Sequence, residues 1–486
     1  MNKIKFVIVL VLVSVWHQSN AQLKISLLEA VQMAKDKSLQ ASINLNTFYA
    51  AQFNYKSAYT NLLPSINANI NAPGLDRSIG IVPQPDGTIK FIERTQAQSN
   101  ANLTLQQNIL ATGGTVYVSS ALNRFDLLSS GGYTNWQASP LLVGVTQPLL
   151  RFNELKFQWQ LAKLRYKQTS RQYAERTEEL SLQITQTYFD AVNAEAEYNL
   201  ASFNLAVNDT LLRLARGRYN LGKIGEDDLL QTELRLMNAQ NSFDQATLNY
   251  SNNMNQLKII LGLSKETQIE LRPETNLPFF EPDITKAVAN AVRSRSDFLQ
   301  INIEQKQIEA SLKRAQLNKL PNAELNATYG LSNTADNIEG SYKNPLDQQR
   351  VSIGLNVPLM NWGRYRNDYK AAKHQFKAKD AELQLAYLNL EQEVVFQVMQ
   401  YKQLKQRVII SAKADTIAQK RYEVAKNRYF IGKIDNTNLN IAQTEKDLAR
   451  NNYYQTLKEY WMSYYRLRRT TLYDFEKQTS LFTEQK

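Results

Sequence analysis

The sequence of 486 residues predicts an α+β fold made of two copies of one unit, each joining alternating strands to a very long helical hairpin. Three observations carry this reading. Matching segments recur in the same order in both halves. Apolar and polar residues alternate with period two before each hairpin, and long breaker-free stretches follow with coiled-coil spacing.

The repeat comes first. Leu62-Leu63-Pro64 returns as Lys319-Leu320-Pro321, and Ala30, Val31 and Ala34 return as Ala287, Val288 and Ala291, all 257 residues on. Gln147-Pro148-Leu149 returns as Val357-Pro358-Leu359, now 210 residues on. At the same offset, the segment from Arg218 through Tyr219, Leu221, Gly222, Lys223 and Ile224 returns as Arg428, Tyr429, Ile431, Gly432, Lys433 and Ile434. The offset falls from 257 to 210, so the first copy holds 47 residues that the second lacks, all between Pro64 and Pro148.

At the N-terminus, Lys3 and Lys5 precede the apolar run 6–15, and Ser19-Asn20-Ala21 supplies a small-x-small site. Residues 1–21 therefore read as a Sec signal peptide, and its apolar run is too short to span a bilayer. The absence of cysteine leaves neither a disulfide framework nor a lipidated N-terminal Cys, so no lipoprotein is expected. No later stretch approaches a transmembrane helix; a mature chain that enters a membrane must do so as a closed β-barrel. Lys and Arg number 57 against 45 Asp and Glu, a net +12, but the signs are mixed along the chain. Nucleic-acid binding needs a clustered basic patch, and none occurs.

Strands are expected about 65–149 in the first repeat and 322–359 in the second. In the second, Ala323, Leu325, Ala327, Tyr329 and Leu331 alternate with Asn322, Glu324, Asn326 and Thr328. Val351, Ile353, Leu355 and Val357 alternate with Ser352, Gly354 and Asn356. The 47-residue excess does likewise: Ala101, Leu103 and Leu105 against Asn102, Thr104 and Gln106. After the tight-turn sequence Thr112-Gly113-Gly114, Val116 and Val118 alternate with Tyr117 and Ser119. The first repeat thus holds four strands, near 65–72, 100–109, 115–122 and 141–149, and the second holds two. Such segments suit lipid on one side and water on the other, or the half-buried strands of a soluble sandwich.

Helical hairpins are expected about 152–262 and 362–470. Between Leu155 and Arg216 there is neither proline nor glycine, so one helix runs about 90–95 Å at ~1.5 Å per residue. Its seam steps by four and three through Leu180, Ile184, Thr187, Ala191, Ala194, Tyr198, Ala201, Leu205, Asn208, Leu212, Ala215 and Tyr219. The return helix repeats every seven at Leu229, Leu236, Phe243, Tyr250 and Leu257. The second-half seam adds polar members, Gln397, Ser411 and Asp415, which fit a helix partly facing water. The organisation is therefore a signal peptide 1–21, a first repeat 22–263, a linker 264–283, a second repeat 284–473 and a tail 474–486.

Enzymatic chemistry has little to work with. His17 leaves with the signal, so His374, among lysines, is the mature chain's single histidine and reads as a surface residue. Zinc sites and His-dependent triads are excluded, no phosphate-cradling loop is present, and no cofactor or metal is expected. Pairs such as Glu178-Glu179 read as solvated coiled-coil faces.

These features together resemble the TolC family of outer-membrane efflux proteins. The resemblance rests on the opening helix before Leu63-Pro64, on Gln147-Pro148-Leu149-Leu150 and on the two hairpin tips. It covers about residues 27–473. It implies a homotrimer with a β-barrel in outer-membrane lipid, continued by an α-helical coiled-coil tunnel through the periplasm. The implied role is the exit duct of a tripartite efflux or type I secretion system, working with an inner-membrane pump and a periplasmic adaptor. Carried over, the adaptor contacts are Tyr219, Leu221, Gly222 and Lys223, with Tyr429, Ile431, Gly432 and Lys433.

Two departures stand out. Well-known members carry aspartates at the second tip that narrow the mouth, whereas here that stretch has only Asp435. The acids Glu226, Asp227 and Asp228 sit in the first tip instead; they are candidate gate residues, or simply residues that favour a helix N-terminus. Typical members also contribute four strands per protomer, twelve per trimer. Six here would give eighteen, with the Thr112-Gly113-Gly114 turn on the periplasmic side; the competing expectation is an external hairpin capping the mouth. A general diffusion porin and a periplasmic adaptor remain the alternative classes.

Overall fold

Ser26 starts the first helix. Its hydroxyl accepts from the Glu29 N–H at 3.3 Å, and the Glu29 carboxylate accepts from the Ser26 N–H at 2.8 Å, a reciprocal cap. The computed structural model describes residues 23–128, 132–273, 277–357, 359–431, 433–434 and 436–482. The expected signal peptide, Gly432 and Asp435 lie outside the described residues.

In chain order, β1 (Leu23–Ser26) leads into α1 (Leu27–Lys37) and α2 (Leu39–Thr60). Four strands follow: β2 (Ser65–Pro83), β3 (Ile89–Asn108), β4 (Thr115–Leu127) and β5 (Thr134–Pro148). The first long hairpin is α3 (Glu154–Asn220) and α4 (Glu226–Leu261), after which β6 (Ile269–Arg272) precedes α5 (Ile284–Ser294) and α6 (Ser296–Leu317). Strand β7 (Asn322–Ala335), the short α7 (Ile338–Ser341) and β8 (Leu346–Asn356) lead to the second hairpin, α8 (Arg364–Phe430) and α9 (Asn436–Thr471). A small pair, β9 (Tyr473–Asp474) and β10 (Thr479–Ser480), closes the described chain.

The duplication is visible in helix lengths. α3 and α8 have 67 residues each, α4 and α9 have 36, α1 and α5 have 11, and α2 and α6 have 22. The chain divides into two compact units.

One unit, Ala50–Gln168 with Leu299–Tyr387, holds a single antiparallel sheet in the order β2-β3-β4-β5-β7-β8. The strands are longer than the alternation indicated, because β2 and β3 continue past their neighbours as a two-stranded ribbon from Arg77/Thr95 to Pro83/Ile89. At the helix-bearing end, Phe157, Leu161, Ile303 and Ala310 form a small core with Phe152 and Leu164. Arg314 fixes it from above: its guanidinium lies 4.8 and 5.0 Å from the Phe152 and Phe157 ring centres and donates to Glu154 at 3.0 and 2.9 Å.

The other unit takes residues up to Tyr49, Thr169–Phe298 and Leu388 onward. Its core includes Ile184, Tyr188, Phe189, Leu257, Leu457 and Trp461. The linker packs here: the Pro278 carbonyl accepts from the hydroxyls of Tyr401 and Tyr460 at 3.0 and 2.7 Å, and Phe280 stacks on Tyr401. The seam holds over part of its length: Leu180, Ile184, Ala191, Leu212, Ala215 and Leu257 are buried, whereas Tyr219 at its end is exposed. Its polar members in the second half do not face water as expected. Gln397, Ser411 and Asp415 are buried, and Asp415 accepts from Arg450 Nε at 2.7 Å. Glu178 also corrects the reading from sequence. It is buried and accepts from Lys35 Nζ at 3.0 Å and Arg468 Nε at 2.8 Å, while its neighbour Glu179 is solvated and paired with Arg469.

Candidate functional site

Two surfaces stand out: one face of the sheet, and the hairpin tips. The register shows how the first is built. Ile66 lies opposite Leu105, Leu105 opposite Val118, Val118 opposite Val143, Val143 opposite Tyr329, and Ala327 opposite Val351. Tyr329 itself faces Gln349, but Ala327, two residues away, keeps the same face, so apolar groups stand on one face of all six strands. The other face carries Asn69, Asn102, Ser119, Thr146, Asn326 and Ser352. Asn71 Nδ2 donates to Asn100 Oδ1 at 2.8 Å and Thr146 Oγ1 to Asn326 Oδ1 at 2.9 Å, so polar groups satisfy one another across strands. On the apolar face Ile66, Ile70, Leu103, Tyr329, Val351 and Ile353 are exposed. The period-two alternation is thus that of a sheet with one uncovered apolar face, and β3 and β4 keep it in register.

The Thr112-Gly113-Gly114 turn lies at the helix-bearing end of this unit. Asn153 Nδ2 donates to the carbonyls of Leu110 and Ala111 at 3.0 and 3.1 Å, while its Oδ1 caps α3 through the Lys156 N–H at 2.9 Å. The turn and the start of α3 thus share one asparagine. The ribbon turn around Asp86 and Gly87 lies at the opposite end of β2 and β3.

Sequence reasoning passed over the junction between β8 and α8. Trp362 there has φ +52°, a left-handed backbone that is an outlier for a bulky residue, and is 88% exposed; Leu359 is 93% exposed. At the far end, Trp136 stands opposite Arg124, whose guanidinium lies 5.3 Å from its ring. Aromatic residues thus stand at both ends of the apolar band.

At the first tip, Asn220 ends α3, and Gly222 turns the chain with φ +67° and no atom within 4 Å of where a Cβ would stand. Glycine is needed there for backbone conformation, not for space. The Lys223 N–H closes the helix on the Arg218 carbonyl at 2.9 Å, and the Lys433 N–H does the same on Arg428 at 2.8 Å, so the two tips share one cap. Leu221 and Ile431 are 72% and 65% exposed. Tyr219, Lys223 and Lys433 are exposed too. The side chain of Tyr429, like Gly432, is outside the description. Glu226, Asp227 and Asp228 form the exposed first turn of α4, where Gly225 caps without a side chain, and the helix dipole favours them there.

Buried charges outside these surfaces serve packing. Burial raises the Glu175 carboxyl above its ordinary value despite hydrogen bonds from the Ser296 N–H and hydroxyl, both 2.6 Å. Among the described residues no cluster of His, Cys, Asp or Glu is placed to hold a metal, and no helix is long and apolar enough to cross a membrane.

The family described as outer membrane efflux protein matches residues 87–263 and again 287–471, one match in each half. Outer membrane protein TolC of Escherichia coli (strain K12) is 23% identical over 297 residues, covering 56% of this chain and 59% of that relative, less than two thirds of its length. The fold is similar to that of the CmeC outer membrane channel of Campylobacter jejuni, with TM-score 0.64, 16% identity, and 93% and 87% of the two chains covered. It is also similar to the outer membrane protein VceC of Vibrio cholerae, with TM-score 0.60, 13% identity, and 92% and 95% covered. At these identities the structural likeness concerns the fold.

Proposed function

The chain belongs to the outer membrane efflux protein family, and on that premise we propose that three copies form the outer-membrane exit duct of a tripartite efflux or type I secretion system. The sheets close a barrel in the outer membrane, and the helical hairpins continue it as a periplasmic tunnel. The duct is passive and not an enzyme. An inner-membrane pump supplies the energy, and a periplasmic adaptor joins that pump to the tips.

The observation that carries this reading is the apolar face that crosses all six strands in register and stands exposed on β2, β3, β5, β7 and β8. Lipid covers such a face, and burying each large side chain is worth roughly 1.5–3 kcal/mol. A soluble sandwich would need a second sheet against it, and the described chain has a single large sheet. The tips support the adaptor's place. Leu221 and Ile431 project beside equivalent caps, so a trimer offers six similar turns to a partner whose helices pack between them. Weak contacts repeated sixfold gain by avidity. The acids Glu226, Asp227 and Asp228 then lie at the periplasmic mouth, where they form a gate with Asp435. A diffusion porin would have no use for two hairpins, and an adaptor is expected to carry one.

Crosslinking in intact cells followed by purification of the full chain tests the assembly. The expected result is recovery of one adaptor and one inner-membrane pump with the chain. Recovery of neither from cells that export normally would overturn the duct reading.

A further inference from the structure

Strands β2 and β8 are the edges of the sheet, and each leaves one row of backbone groups without a partner in the described chain. Hydrocarbon does not tolerate such a row, and charges or proline are the usual blunting devices in water. On β2 these devices begin only at Pro73, leaving 65–71 free of charge and proline, and β8 has no proline and is charged only at Asp347 and Arg350. All 11 residues of β8 are exposed, with Val351, Ile353 and Leu355 on the apolar face. On β2 the same face shows Ile66 and Ile70.

The two edges are complementary. β2 follows α2 and runs away from the helix-bearing end; β8 runs back toward it and leads into α8. Six antiparallel strands are an even number, so β2 of a second copy lies antiparallel to β8 with the alternation intact. Face parity agrees as well, since Asn67 and Asn69 share the polar face with Ser352. Beyond Asp76, β2 and β3 pair only with each other, because β3 gains β4 only from Gln96 onward.

Resting on the three-copy reading above, we infer that all six strands of each chain lie in the barrel wall, with β8 of one copy paired to β2 of the next, giving eighteen strands. A twelve-stranded wall would leave β2 and β3 outside and close β8 on β4. These two strands belong in the wall because they continue its apolar face, from Ile66 through Leu105 to Val118 and Val143. Barrel diameter grows roughly linearly with strand number, so the opening is about half again as wide as twelve strands give. Walls of about 16–18 strands enclose an aqueous channel rather than a packed interior. The lining of asparagine, serine and threonine keeps that channel hydrated, and the cargo it fits is a bulky solute passed with its water shell.

The chain has no cysteine, so introduced pairs are read without background. Asn69→Cys is combined in the full chain with Arg350→Cys, Ser352→Cys or Gly354→Cys, oxidised in outer membranes and resolved on denaturing gels. One of these registers is expected to link chains into a ladder ending at three. A second series joins the β8 positions to Ser119→Cys or Ala121→Cys on β4, and the same membranes are sedimented in mild detergent. Trimers whose β8 links to β4, or to neither strand, overturn the eighteen-strand wall and leave the duct standing. Monomers overturn both.

Discussion

Arg468 Nε donates to Glu178 Oε2 at 2.8 Å, tying the last long helix to the first across the two repeats. Lys35 of α1 reaches the same carboxylate at 3.0 Å, and Asp474 takes the other side of the guanidinium. The contact has no counterpart in the duplication. At the 210-residue offset Glu178 becomes Leu388, which is exposed, and Arg468 answers to Lys258, which donates to the Lys265 carbonyl.

Glu178→Gln therefore leaves two cations facing a neutral amide. Removing one partner of a buried pair costs roughly 3–5 kcal/mol, so the midpoint of thermal unfolding in detergent should fall. Burial would raise the Glu178 carboxyl, but the charges of Lys35 and Arg468 outweigh it and hold the group below its ordinary value. A lowered carboxylate stabilises fully above its unfolded pKa and loses that contribution as pH falls through the folded one. The gap between wild type and variant should thus be full at neutral pH and close in acid, below the ordinary carboxylate range. Equal midpoints at neutral pH would contradict the role given to this ion pair.

The repeat, the order of elements and the apolar face of the sheet were legible because periodicity is a local signal. Glu178 was not. On a helix of 67 residues an acidic pair looks solvated, and only the arrival of Arg468, 290 residues later, buries one member of it. The water-facing assignment of Ser411 and Asp415 failed for the same reason, since Arg450 satisfies Asp415 from the returning helix. Trp362 could have been read: a tryptophan beside Gly363 where a strand gives way to a helix is an interfacial anchor signal. The tips were legible as turns, through Gly222 and its equivalent.

The two ends of the sheet predict opposite labelling. Ala111→Cys, beside the Asn153-bound turn, should resist a membrane-impermeant thiol reagent applied to whole cells and react once the outer membrane is opened. Asp86→Cys at the ribbon turn should react from outside. Reaction of Ala111→Cys in intact cells would place the turn at the surface.

Trp362 should sit at the inner-leaflet interface. In a variant keeping only this tryptophan, brominated lipid should quench its emission, most strongly with bromines near the headgroups. Quenching by aqueous iodide instead, with none from lipid, would place the junction in water.

At the tips, Leu221→Asp together with Ile431→Asp should abolish export while trimers persist at normal level. Gly222→Val should act similarly, because a β-branched residue at φ +67° forces the cap to rearrange. In cells expressing the double aspartate variant normally, full export would mean that the tips are turns alone.

Three copies of this chain are proposed to make one outer-membrane duct. Native mass measurement of the protein extracted from purified outer membranes in mild detergent counts the chains. The account predicts a single species of three chains, stable without adaptor or pump; a monomer, or recovery from the soluble periplasmic fraction, would contradict it.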